Sequence, residues 1–178
     1  MSSILVAYTL EVKHEPDEID GLMAQWKRER PDLDSDIMAT FGRFSRIAAY
    51  ASKAIDATLE KWGLQTGEFD VLAALRRSGA PFTLAPSQLT RAMMLSPSGM
   101  TSRLDRLERI GLIERKTTPD DRRSLLVVLT SAGLKLVDEA VTAHVENETG
   151  LLRALSPSER KGLDQALRVL LRSFETKP

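Results

Sequence analysis

The chain has 178 residues, 42% of them hydrophobic and 28% charged, with no cysteine and 25 basic residues balanced by 25 acidic ones. A chain of this length can bury roughly 70% of its unfolded surface, enough for a well-packed globular domain. The missing cysteines exclude disulfides, thiolate metal sites, cysteine nucleophiles and thiol-based redox sensing.

No run of about 18 apolar residues offers a membrane span, and no basic start followed by an apolar stretch and a cleavage site marks a secretory signal. The expected location is therefore cytoplasmic, with no membrane partner. The zero net charge is unevenly placed: the first 40 residues carry nine acidic and four basic side chains, which leaves +5 for the remainder. Such a mild surplus does not announce nucleic acid by itself. His14 and His144 are the only imidazoles, and neither has a partner at ligand spacing, so packing or surface roles are simpler than metal binding. No metal or cofactor is expected.

Taken in chain order, a short helix is predicted from about Pro16 to Arg28, ended by the Arg30-Pro31 step. Asp32 or Asp34 then opens a long helix to about Trp62, where Gly63 is a natural stop. A shorter helix follows from about Gly67 to Ser78, capped by Thr66 and closing at Gly79. Phe69, Leu72 and Leu75 share its apolar side. Asp70 and Arg77 fall about 20° from each other on a different side, about 10 Å apart along the axis. Two solvated charges is the simpler reading of that spacing; the alternative is that something lies between them.

After the extended "APFT", Pro86 opens a helix through about Met93. "SPSGMTSRLDRLERIGLIER", residues 96–115, opens the next, with Ser96 as cap and Pro97 at its first position. Helix, short connection, helix is the pattern of a helix-turn-helix. Met100, Leu104, Leu107 and Ile110 recur as one buried stripe, and Arg103 sits about 60° from Met100, on the flank of that stripe. The first turns are small and polar. Ser98, Gly99, Thr101 and Ser102 permit close approach to a major groove, with Arg106 projecting from the same exposed side, where arginine can pair with guanine and hydroxyls with phosphate or base edges. The same residues would also suit a merely solvated surface, and the next segment tips the balance.

In "LIERKTTPDDRRSLLVVLT", two strand-like runs flank a polar turn of Thr118, Pro119, Asp120 and Asp121. A hairpin after a helix-turn-helix is a wing, and Arg122 and Arg123 at its tip can extend into a minor groove or along phosphate. Thr130 then caps a helix to about Thr149 or further. "SPSE" at 156–159 forms a capping box with proline at the first position, opening the last helix to about Phe174. Leu134, Val137, Val141 and Val145, and Leu163, Ala166, Leu167, Leu170 and Leu171, form apolar stripes that suit a shared subunit interface, hence a homodimer. The expected fold is mainly α with a small β-hairpin, as one domain over 1–178. Within it, N-terminal and dimerisation helices (1–63) precede a winged helix-turn-helix core (64–129), and C-terminal dimerisation helices (130–178) follow.

With "LSPSGMTSRLDRLERIGLIER" and "DDRRSLLVVLTSAG" in this order and spacing, the chain resembles the MarR-type transcriptional regulators over about residues 33–175. The resemblance implies a dimeric winged-helix protein, usually a repressor, on a pseudo-palindromic operator in double-stranded DNA, released by a small aromatic or anionic ligand. It places DNA reading on the helix starting at Ser96 and wing contact on Arg122 and Arg123. "WKRERPDLD", "EFDVL", "LRRSGAP" and "GMTSRLDRLE" further resemble the urate-responsive, PecS- and HucR-like branch, which adds an N-terminal helix and uses a Trp, Asp, Arg, Arg set. The matching positions are Trp26, Asp70, Arg77 and Arg103; residues 1–15 match nothing in it.

That branch implies an anionic purine such as urate at Trp26 and Arg77, using the bidentate geometry of a guanidinium. Asp70 would pair with Arg103 in the unliganded state, and an arriving anion would weaken that pair and shift the reading helix. Two alternatives stand beside it: the same fold responding to a phenolic or other anionic metabolite, and a winged-helix module that binds protein. An enzyme is not expected, since the sequence shows no paired carboxylates with a shared pocket, no nucleophile and base set and no phosphate-cradling glycine loop.

Overall fold

The computed structural model describes residues 15–93, 97–117 and 125–175. In chain order these form α1 (Glu18–Glu29), α2 (Ser35–Leu59), a single 3₁₀ turn (Glu60–Trp62), α3 (Thr66–Arg77), β1 (Thr83–Leu84), α4 (Pro86–Met93), α5 (Pro97–Arg109), β2 (Ile113–Thr117), β3 (Leu125–Leu129), α6 (Ser131–Leu151) and α7 (Pro157–Glu175). The chain divides into two compact units, one up to Tyr50 and one from Ala51 onward, with the boundary inside α2.

In the first unit, Asp17 and Asp20 cap α1 reciprocally. The Asp17 carboxylate accepts the amides of Ile19 at 2.8 Å and Asp20 at 3.1 Å, and Asp20 accepts that of Asp17 at 2.8 Å. Ile19 is buried, and a Cβ on Gly42 would come within 3.3 Å of it, so α1 lies close on α2 because that position has no side chain. Arg43 of α2 donates to Asp17 at 2.7 Å and to Asp20 at 2.6 Å. That guanidinium is the main reason the Asp17 carboxyl is lowered to about 2. Ile37, Phe41, Phe44, Ile47 and Tyr50 stand exposed along α2, each between 57% and 66% accessible.

The second unit is built on α3. Gly63 turns the chain out of the 3₁₀ turn with φ +64. The helix cap is Gln65 rather than the expected Thr66: the Gln65 amide donates to Glu68 Oε2 at 2.9 Å, and Gln65 accepts from the amide of Glu68. Thr66 is drawn away because its hydroxyl donates to the Asp56 carboxylate, a charge-assisted bond stronger than a neutral cap. Phe69, Leu72 and Leu75 face a core that includes Leu89, Met100, Leu104, Leu107, Val127 and Val137.

The expected hairpin acquires a third strand. The antiparallel order is β1-β3-β2, with Thr83 opposite Val128 and Ile113 opposite Leu129. β1 forms because the apolar β3 is central, and its second edge needs a hydrogen-bonding partner. Thr130 caps α6, accepting from the Gly133 amide at 2.9 Å while its hydroxyl donates to the Gly111 carbonyl at 2.8 Å. Ile110, expected in the buried stripe of α5, is 46% exposed. The helix ends at Arg109 and Gly111 adopts φ +75, so the helical period no longer governs where Ile110 points. α7 buries none of its side chains. Among the described residues no helix is long and apolar enough to cross a membrane.

Candidate DNA-reading face and ligand site

α5 presents two faces. Met100, Leu104 and Leu107 are at most 3% exposed and hold the helix to the core, while Thr101, Ser102, Asp105 and Arg109 are exposed. Ser98 and Gly99 fall in its first turn. The side chain of Ser98, and Arg122 and Arg123 altogether, lie outside the described residues. On its far end α5 is tied to the wing by Arg115 of β2, which pairs with Asp105 at 2.6 Å and Glu108 at 3.4 Å. A groove of about 580 Å³ runs along this junction, lined by Thr90, Arg91, Thr101, Leu104, Arg115 and Leu125 among others.

Arg106 does not project beside the hydroxyls as expected. Its guanidinium pairs with Glu68, whose side chain is 2% exposed, and donates to the Gly63 carbonyl at 3.0 Å. A buried carboxylate has to be paired, and Arg106 is the cation that pairs with it among the described residues. Sequence reasoning missed Glu68. The signal was there in Gln65 followed three residues later by Glu68, which marks a capping box and therefore a carboxylate folded back on its own helix.

Arg103 is an inward-facing group, although its partners differ from those expected. Nη1 donates to the Gly99 carbonyl at 2.9 Å, and the side chain lies across α3 at Gly67, where an added Cβ would stand 2.2 Å from Nε. Among the described residues Asp70 and Arg103 form no direct ion pair, because the guanidinium is already committed to its own helix. They still share a field. Burial pushes the Asp70 carboxyl up, and its electrostatic interactions with His144 and with the guanidinium groups of Arg77 and Arg103 pull against that rise. His144 lies with its ring 4.8 Å from that of Phe69 and its Nε2 at 3.2 Å from Glu148. Its Nδ1 is buried without a hydrogen-bond partner among the described residues. Trp26 stands on α1 in the first unit, 42% exposed.

A helix-turn-helix with a three-stranded wing, presenting small and hydroxyl side chains early in its second helix, is a DNA-binding architecture. The comparisons agree. A family model described as MarR family matches residues 62–124. The HTH-type transcriptional regulator PecS of Dickeya dadantii (strain 3937) is 42% identical over 146 residues, covering 82% of this chain and 88% of PecS. Among solved structures, AbsC from Streptomyces coelicolor has a TM-score of 0.73 at 23% identity, covering 82% of this chain and 98% of AbsC. The S. aureus MepR–DNA complex has a TM-score of 0.66 at 25% identity, covering 73% of this chain and 94% of that one.

The chain belongs to the MarR family and is a DNA-binding transcriptional regulator, not an enzyme. Within the family it is PecS-like.

Proposed function

We propose that the protein is a homodimeric repressor whose α5 lies in a major groove, with Ser98, Gly99, Thr101 and Ser102 at base edges or phosphates. Arg122 and Arg123 make the wing contact. Arg106 is left out of the reading set because Glu68 holds its guanidinium. The dimer reading is supported by α7, whose Leu163, Leu167, Leu170, Leu171 and Phe174 are 40% to 66% exposed at helical spacing. An apolar stripe of that kind marks an interface, and a second copy of the chain is its occupant.

An anionic purine such as urate releases the dimer from its operator. The observation that carries this is the charge cluster around α3, where the partly desolvated Asp70 carboxyl, raised from its ordinary value, interacts with Arg77 of the same helix, Arg103 of α5 and His144 of α6. An anion settling on Arg77 takes up positive charge that now balances Asp70. Asp70 then either takes a proton or moves, and Arg103, lying on both α3 and α5, carries the change to the reading helix. A coupling of about 1–3 kcal/mol would lower operator affinity roughly 5–150-fold.

The test is a gel shift on the DNA upstream of the protein's own gene, with and without urate. Loss of the shifted band on adding urate is expected. A band retained at saturating urate removes the purine and leaves a phenolic or other anionic effector as the reading to pursue. Calorimetry on Arg77→Ala separates pocket from relay, since full urate affinity in that variant would place the ligand elsewhere.

A further inference from the structure

α5 carries Arg103, Arg106 and Arg109, and the first two are turned onto α3 rather than outward. One buried carboxylate does two jobs there: Glu68 accepts the Gln65 amide at 2.9 Å, closing the first turn of α3, and it holds Arg106 of α5. The Gly63 carbonyl, accepting from Arg106 at 3.0 Å, adds a third attachment at the same corner. Arg106 is nevertheless 37% exposed. Released from Glu68, it would have an open path to solvent and to any phosphate within reach.

We propose that Glu68 is a positioning residue for DNA recognition. By holding Arg106 it sets how α5 is seated on α3, and it keeps a long cation from adding sequence-independent affinity. The proposal rests on α5 being the helix that enters the groove. Its physical core is that phosphate contacts supply affinity without specificity, and each one makes binding more salt-dependent. A regulator gains discrimination when an arginine beside its reading face is internally paired. Arg106 is then part of the scaffold, and the hydroxyl-bearing face of α5 does the reading.

The test uses Glu68→Gln, Arg106→Gln and the double variant of the full chain. Glutamine at position 68 still offers an oxygen to the Gln65 amide, and thermal melting establishes that each variant is folded at the assay temperature. The probes are a duplex selected by the wild-type protein from a random-sequence library and a scrambled duplex of the same composition.

Glu68→Gln is expected to weaken binding to the selected duplex about tenfold, to tighten binding to the scrambled one, and to steepen the slope of log K against log salt by about 0.9, the contribution of one phosphate contact. Arg106→Gln should also weaken selected binding while leaving the wild-type salt slope unchanged, and the double variant should be no worse than either single one. If Glu68→Gln keeps the wild-type preference and slope, the proposal is wrong. It is equally wrong if Arg106→Gln flattens the slope by about 0.9, because Arg106 would then touch phosphate in the native complex. Should Glu68→Gln fail to fold, the slope of Arg106→Gln decides alone. A wild-type protein that selects no sequence overturns the reading of α5 and this inference with it.

Discussion

α5 and α7 open on the same three residues, Ser-Pro-Ser, at 96–98 and 156–158, and both carry leucines at helical spacing. Their environments differ completely. In α5, Met100, Leu104 and Leu107 are packed against α3, α4 and the sheet, whereas α7 leaves all of its leucines accessible. An amphipathic stripe says that one face of a helix avoids water; it does not say whose surface covers it. For α5 the cover is the chain's own core, and the opposite face is exposed. For α7, on the dimer reading proposed above, the cover is a second copy of the chain.

That contrast can be broken most directly at a leucine of each kind. Leu107→Ala should lower the free energy of unfolding by about 2–5 kcal/mol, the range for a leucine removed from a packed core, measured by urea denaturation. Leu167→Ala should cost much less at low protein concentration, its effect growing as the protein associates; equal losses at every concentration would erase the distinction. A harsher change, Leu167→Glu with Leu170→Glu, should leave a folded monomer in sedimentation and cut operator affinity by at least tenfold, because a dimer reading two half-sites loses one of them.

Two glycines sharpen the comparison further. Gly133 of α6 lies against the Leu112 carbonyl, where a Cβ would stand 2.0 Å from the oxygen, and backbone cannot step aside. Gly133→Ala should destabilise by about 1–3 kcal/mol in thermal unfolding. At Gly67 the obstacle is the movable end of Arg103. Gly67→Ala should be close to neutral in stability, its helix-propensity gain of about 1 kcal/mol offsetting the displaced guanidinium, while operator binding weakens.

The smallest effect concerns Asp70. Its carboxyl is raised mainly by burial, so the folded state disfavours its charge. The stability tied to its protonated form is fully present below the ordinary carboxylate range and is lost as pH rises through the raised pKa. Asp70→Asn should therefore melt above the wild type at neutral pH and level with it in acid, which melting curves across a pH series will show. A gap independent of pH would mean that the charge of Asp70 is already balanced.

Local chemistry made much of the fold legible in the sequence. Pro86, Pro97 and Pro157 each stand at the first position of a helix, Gly63 ends the 3₁₀ turn, Thr130 caps α6, and "LLVVL" is the central strand. Each of these follows from a residue and its near neighbours: a fixed φ, a tolerated positive φ, a hydroxyl within reach of an amide, a run of β-branched side chains. The exposed hydroxyls of α5 were legible for the same reason, since helical spacing sorts faces.

What spacing could not settle was the destination of long or charged side chains. Arg106 turns onto Glu68, 38 residues away in sequence, Arg103 folds back onto Gly99 while lying across Gly67 of α3, Glu68 is buried because α5 brings it a cation, and β1 exists because β3 has a second edge to satisfy. Those outcomes depend on desolvation and pairing between elements, quantities that come into being only when the elements meet. The sequence determined the elements and the faces of the reading helix. The tertiary structure decided which of its arginines are paired within the chain.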